Sequence, residues 1–305
     1  MISKKVLEEA IFRTIKKSSC QISPDVHSAF EKAIHGEASG VARQALTETL
    51  KSLDLSTERE CLACPDTGWP LFFAKVGSEA QIEGGLAAFE EISRSMVAKA
   101  TREGFLRNTM KHPLTGADSG TNVGMNVPSF TYRFVPGDFL QVSYVAKGGG
   151  SECFGGTRYR VVAFADGIVG IEKTIIDWYM AAARAGAICP PAILGIGIGG
   201  TADIAAHLAK QAATLRIVGS RHPEPVFAKM EEELLAALND LGIGAMGAGG
   251  KTSVFAVNVE YSLTHIAGIA VAMSANCMVA RRATTKIYSD GRLEELNHPQ
   301  WFNGR

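Results

Sequence analysis

Residues 191–203, PAILGIGIGGTAD, carry three signals in one short run. The apolar start, Pro191 to Ile196, reads as a buried strand. Gly195, Gly197, Gly199 and Gly200 crowd its end, and residues 201–213 continue with helical spacing. A strand, a glycine turn and a helix in succession form the repeating unit of an α/β fold. The run also suggests a ligand, because glycines let a backbone approach a phosphate or turn its amides toward an anion. The dinucleotide pattern G-x-G-x-x-G is only approached, with Ala202 in its third place. The acidic residue expected about twenty positions further on is missing from LRIVGSRHP. A nucleotide-dependent oxidoreductase stays open as an alternative, beside close packing as the reason for the glycines.

Working outward, the first sixty residues read as helical. Val6, Ala10, Ile11 and Ile15 fall at helical spacing, and Ser23-Pro24-Asp25 is a cap followed by proline in a first turn. Residues 1–58 are therefore expected to form a helical N-terminal segment. WPLFFAKV (69–76) predicts a strand and residues 82–103 an amphipathic helix. SFTYRFV (129–135) and FLQVSYVAK (139–147) flank Pro136-Gly137-Asp138, a hairpin-like turn signal. Residues 171–186 and 224–241 predict helices, and SVFAVNVE (253–260) alternates like a strand. Residues 266–274 predict a buried strand or a short helix. No repeat or low-complexity linker interrupts the chain, so the expected class is α/β (mixed α+β), one compact domain over 1–305.

Of 305 residues, 46% are hydrophobic, enough for a full core. Basic and acidic residues balance at 31 each, which leaves no electrostatic footprint for nucleic acid or an anionic membrane surface. The N-terminus, MISKKVLEEAIFRTIKK, lacks the apolar stretch of a secretion signal. No run approaches the roughly 18 apolar residues of a membrane span. A cytoplasmic location is expected, where the six cysteines would not form disulfides.

CLACPDTG (61–68) poses the chemical question. Its C-x-x-C could be a redox pair, half of a zinc knuckle, or a pair of which one cysteine matters. No second C-x-x-C and no nearby histidine pair completes a zinc site. Two further glycine clusters, Lys147 to Glu152 and Gly242 to Gly250 ahead of Lys251-Thr252, suit either anion contact or tight turns.

Seven motifs in order then resemble one family, the iron–sulfur hydro-lyases that comprise class I fumarases and L-tartrate dehydratases, in their α subunit or N-terminal half. They are Cys64-Pro65-Asp66-Thr67-Gly68, Leu106-Arg107-Asn108, Gly120-Thr121-Asn122-Val123-Gly124 and Lys147-Gly148-Gly149-Gly150-Ser151-Glu152. Further on come Cys189-Pro190-Pro191 with the GIGIGGT run, Gly249-Gly250-Lys251-Thr252, and His265 with Asn276-Cys277 and Arg281-Arg282-Ala283. Two places depart from the family pattern: Pro65 replaces a usual glutamine, and Cys153-Phe154 replaces Asn-Met. Both bear on which substrate is taken.

The resemblance implies a [4Fe–4S] cluster held by Cys64, Cys189 and Cys277, with one iron left open to act as a Lewis acid on a substrate hydroxyl. Cys61 is then a bystander, and Cys20 and Cys153 are expected as small buried hydrophobes. The implied reaction is reversible loss of water from a 2-hydroxy dicarboxylic acid. Asp66 is carried over as a proton-transfer group, beside its plainer reading as an Asx turn. Arg107 is carried over as a bidentate carboxylate clamp. Gly149 and Gly150 would offer backbone amides, Lys251 a cation, and His265 a catalytic imidazole, in some members reaching a neighbouring subunit's site. In single-chain members a C-terminal domain of roughly ordinary size follows the corresponding segment. Here the expectation is a separate β subunit, within an α2β2 assembly built on an α homodimer. A non-catalytic scaffold of the same fold is the remaining alternative.

Overall fold

Three helices fill the first sixty residues, as their periodicity predicts: α1 (Lys4–Cys20), α2 (Pro24–Gly36) and α3 (Gly40–Arg59). The Ser3 hydroxyl caps α1 by accepting the Val6 N–H, and Pro24 opens α2 where its missing N–H costs nothing. The computed structural model describes residues 1–303; the last two positions of the expected 1–305 span lie outside the described residues. Next in order come β1 (Trp69–Gly77), α4 (Gly85–Arg102), β2 (Ser129–Val135), β3 (Phe139–Lys147) and the short α5 (Gly149–Cys153). They are followed by β4 (Thr157–Val162), α6 (Gly167–Arg184), β5 (Ala192–Ile198), α7 (Ala202–Leu215) and α8 (Pro225–Asp240). The chain closes with β6 (Val254–Tyr261), β7 (Ile269–Asn276), β8 (Arg282–Tyr288) and β9 (Leu293–Leu296).

The expected mixed α/β architecture is present, organised more finely than one domain. The chain forms two compact units interleaved in sequence. Unit 1 takes Met1–Ser23, Ser52–Lys147 and Arg281–Trp301; unit 2 takes Pro24–Lys51, Gly148–Ala280 and the chain end from Phe302. One of the passages from unit to unit falls inside α3, where no linker marks it.

Unit 1 is built on a five-stranded sheet in the order β2-β1-β3-β8-β9. Here the hairpin expectation is corrected. β2 runs parallel to β1 and β3 antiparallel to it, so β1 lies between the two strands that were expected to pair. The Pro136-Gly137-Asp138 link crosses the end of β1 at Gly77. A Cβ there would meet the Gly137 oxygen at 2.2 Å, so only glycine admits the crossing. Ser78 and Glu79 donate their N–H groups to Val135 and Gly137 as the link passes. One face of this sheet packs Phe72, Val142, Tyr144 and Ile287 against Leu7, Ile11 and Ile15 of α1 and Phe89 and Met96 of α4.

Unit 2 is built on a four-stranded sheet in the order β4-β7-β5-β6. β5 and β6 run parallel, joined by the right length of chain for a helical crossover, α7 then α8. β5 is buried along its whole length, and its alternation divides two kinds of packing. Leu194, Ile196 and Ile198 face α6 and α8, where Tyr179, Ile175, Leu234 and Leu238 close the core. Each such aliphatic side chain contributes roughly 1.5–3 kcal/mol by its removal from water. Gly195 and Gly197 face α7 instead, against Ala205, Ala209 and Ala213. Of residues 266–274, those from 269 on resolve as strand, because β7 is flanked by β4 and β5 and has both edges paired, while 266–268 form the turn that enters it.

Candidate active site

The glycine run that opened the reading can now be assigned. A Cβ on Gly197 would lie 2.0 Å from the Ala205 oxygen, and one on Gly195 2.0 Å from that of Ala209. These glycines let α7 lie on the sheet at backbone contact. The turn amides are also committed: Gly199 donates to Ala270 and Gly200 to Leu263. A phosphate cradle needs such amides free. The dinucleotide alternative therefore loses its only support.

In unit 1, the CPDTG loop leads directly into β1. The Asp66 carboxylate accepts the Gly68 N–H at 3.0 Å, the Asx turn of its plainer reading, with Gly68 in the left-handed region at φ 63°. Thr67, buried, accepts the Arg107 N–H at 3.0 Å. The Arg107 guanidinium donates to the Pro65 carbonyl at 2.9 Å and is otherwise exposed. A cation, a carboxylate and the half-buried thiol of Cys64 thus share one short loop system. Asn122, given no role from sequence, holds it: its oxygen accepts from Thr109 and Met110, and its amide donates to the Arg107 carbonyl at 2.7 Å. Asn122 is buried at φ 57°, a conformation asparagine tolerates best among larger residues.

In unit 2, Cys189 and Cys277 meet at one end of the sheet. Cys189 precedes β5 and Cys277 follows β7, and these strands are antiparallel neighbours with Ile193 opposite Asn276. Met278 donates its N–H to the Cys189 carbonyl at 3.2 Å, and the Asn276 side chain accepts that of Cys277 at 3.1 Å. Gly150 comes to the same end: a Cβ on it would lie 2.7 Å from the Ala187 oxygen, two residues before Cys189. Gly149 and Gly150 form the first turn of α5.

Two expected site residues are not brought there. His265 sits in the loop that enters β7, at the opposite end of an eight-residue strand from Cys277. Such a strand is roughly 24 Å long. His265 is exposed, its Nδ1 accepting from Ala267. Lys251 is also exposed; its backbone N–H donates at 2.8 Å to Glu37, buried at the end of α2. Burial raises the Glu37 carboxyl, but N–H donors from Ser39, Lys251, Thr252 and Ala38 outweigh it and hold the group below the usual carboxylate range.

None of the six cysteines is in a disulfide. Cys20 is buried as expected, and burial pushes its thiol up to about 11. Cys153 is corrected: it is exposed, because α5 ends there and its neighbour Phe154 is also on the surface. Among the described residues, no three His, Cys, Asp or Glu side chains stand together as a single-ion site. Around Cys61 and Cys64, the described residues offer no further ligands of the kind a zinc knuckle needs. No helix among the described residues is long and apolar enough to cross a membrane.

One end of unit 1 also collects buried cations that carried no role from sequence. Lys147 ends β3, Arg282 opens β8 opposite Val145, and Arg281 precedes it; all three are almost wholly buried. Lys147, Arg281 and Arg282 lay inside quoted motifs, but burial of a charge leaves no mark on a one-dimensional pattern.

A family profile described as "Fumarate hydratase (Fumerase)" matches residues 8–286. A Methanocaldococcus jannaschii chain provisionally named L(+)-tartrate dehydratase subunit alpha is 35% identical over 289 residues, covering 94% of this chain and 99% of that one. The L(+)-tartrate dehydratase subunit alpha of Escherichia coli K12 is 31% identical over 293 residues, covering 96% and 94%. The protein of the same name in Shigella sonnei matches with the same identity and coverage.

Proposed function

Because the chain belongs to the fumarate hydratase family, we propose that it is the cluster-carrying subunit of a hydro-lyase acting on a 2-hydroxy dicarboxylic acid of the malate or tartrate class. The observation that carries this reading is that Cys189 and Cys277, neither of them in a disulfide, come to one strand end beside Gly150. Cys64 supplies the third thiol. The donor set fits a [4Fe–4S] cluster: three cysteines, none used in a disulfide, with a buried guanidinium in the same chain, that of Arg281, whose Nε and Nη1 have no partner among the described residues. When bound, the cluster supplies a Lewis-acidic iron for a departing hydroxyl.

The chain's own residues do the rest. Arg107 presents a forked cation to one substrate carboxylate while its bond to Pro65 fixes its position. Asp66, held by its turn, takes or returns the proton on the carbon next to a carboxylate. Gly149 and Gly150 let a ligand approach the backbone. Lys251 has weaker support, since its amide serves Glu37 and its side chain lies in solvent. A separate β subunit completes the site, a reading supported by the "subunit alpha" in the relatives' names. His265 acts across a homodimer within an α2β2 assembly. Its exposure next to Ile266 suits a contact with another chain.

The test is anaerobic reconstitution with iron and sulfide. The chain should turn brown with broad visible absorbance, lost in Cys64→Ser, Cys189→Ser and Cys277→Ser and kept in Cys61→Ser. With its β subunit the loaded protein should then interconvert malate and fumarate or dehydrate tartrate. A colourless chain overturns the proposal.

A further inference from the structure

Arg281 is 1% exposed, yet its Nε and Nη1 have no hydrogen-bond partner. Tyr144 is fully buried and its hydroxyl is equally unpartnered. Burial pushes the Tyr144 hydroxyl well above the usual range, and the Arg281 charge beside it pulls the other way. A third orphan, the Ser18 hydroxyl, is buried on α1. Native proteins rarely leave buried polar groups unpaired, and an unpaired buried charge is the most costly kind.

The three orphans share one face and one end of unit 1. Side chains alternate along a strand, so Arg281, Ala283 and Thr285 face the same way. Tyr144 stands opposite Ala283 and faces with them. Thr285 meets Thr14 of α1, hydroxyl to hydroxyl, at 2.7 Å. Ser18 is one helical turn further along α1, on the same stripe. The helix runs antiparallel to β8, since the N-terminal amine of Met1 donates to Ser289. Its C-terminus therefore lies at the Arg281 end. The Cys64 loop docks there too: the Ala63 N–H donates to the Ser19 carbonyl at 2.9 Å. Three groups able to donate, one of them cationic, are thus buried at the end of unit 1 that carries Cys64, and Arg281 is four residues after Cys277 in sequence.

We infer that Arg281 is the buried counter-charge of the iron–sulfur cluster, with Tyr144 and Ser18 as the hydroxyls that complete its anion-facing set. The inference rests on the cluster reading above. Thiolates and sulfides carry the negative charge, and hydrogen bonds and charges around the sulfurs set a cluster's potential and retention. Arg281 is a positioning and tuning residue, not a catalytic one.

The test compares wild type, Arg281→Met and Arg281→Lys, each cluster-free and reconstituted anaerobically without substrate. The cluster-free Arg281→Met chain should melt at or above the wild-type temperature, because an unpaired buried charge has been removed. Loading should raise its melting temperature by less than in wild type. Its cluster should have a more negative midpoint potential, since the reduced form loses a nearby positive charge, and should yield iron to a chelator about 10- to 100-fold more readily. Arg281→Lys should restore most of the potential. If Arg281→Met instead melts far below wild type when cluster-free, the arginine is a structural element and the inference falls. It also falls if wild type and Arg281→Met share one potential and one gain on loading. A wild-type chain that takes up no cluster brings down the parent reading instead, and is recognised because every form stays colourless.

Discussion

Two arginines lie equally deep in the two units and have opposite surroundings. In unit 2, Arg216 is 5% exposed, and its Nη1 lies 2.9 Å from the Glu260 carboxylate and 3.4 Å from that of Glu231. Glu231 is completed by the N–H groups of His222 and Val259, both at 2.8 Å. In unit 1, Arg281 is 1% exposed, and its Nε and Nη1 have no partner among the described residues. One charge is neutralised within the fold; the other awaits an anion. The same division runs through the glycines. Those of β5 and its turn are filled by α7 and spent on protein carbonyls, whereas Gly150 lies against the segment that leads into Cys189. Unit 2 thus answers the charge of its buried arginine with two carboxylates, although Nη2 of Arg216 stays without a partner, and unit 1 holds the unanswered Arg281 guanidinium at its Cys64 end. A buried charge with no opposite charge beside it, more than residue type, marks the functional candidate here.

The largest expected effect would break this contrast outright. Arg216→Met strands two buried carboxylates, and losing one member of a buried ion pair costs about 3–5 kcal/mol. Urea unfolding should show that loss, while cluster-free Arg281→Met shows none. Equal losses for the two variants would erase the distinction.

Next in size is Gly197→Ala. Its methyl group would enter the space of the Ala205 oxygen and of the Ala209 nitrogen, both helix backbone, so α7 must lift from the sheet. Overpacking of this kind should cost about 3 kcal/mol in the same measurement. A tolerated alanine would mean that the run has slack for a ligand, reopening the nucleotide reading.

The smallest effect sharpens the picture of the third glycine cluster. Glu37→Gln should lose about 1–2 kcal/mol at pH 7, the difference between charge-assisted and neutral bonds to the N–H groups it gathers. The Glu37 carboxyl is held low in the folded chain, so its stabilisation is present above the unfolded value of roughly 4.3. That stabilisation fades as pH falls through the folded value. Urea midpoints for wild type and Glu37→Gln should therefore converge on acidification. A gap that stays constant down to pH 3 would deny the carboxylate this role.

Much of the local structure is legible in the sequence alone. The three N-terminal helices, β1, β5, β6 and helices α4, α6, α7 and α8 all follow from periodicity and caps. Strands β4, β8 and β9 were missed. β4 and β9 are sheet edges, and β8 carries Arg282 and Lys286 among its residues, so none shows a clear apolar pattern. The β2–β3 hairpin was misread because a turn signal states that the chain reverses, not which strand lies between the two arms. Gly77 was the only hint, visible once the Gly137 oxygen is placed against it.

The sequence by itself determined the membership of the chain and the inventory of its chemistry: Cys64, Asp66, Arg107, Cys189 and Cys277 stand in ordered motifs whose residue types can be read without a fold. It also determined the helical start and the strand–turn–helix core, because these depend on neighbours a few residues apart. Tertiary structure alone decided which cysteines share a strand end, that His265 lies at the other end of β7 from Cys277, and that GIGIGG is a packing seam. It alone separated Arg216 from Arg281. Each of these depends on burial and on partners tens to hundreds of residues away, and a side chain's charge has no meaning for function until its surroundings, in space and not in sequence, leave it answered or unanswered.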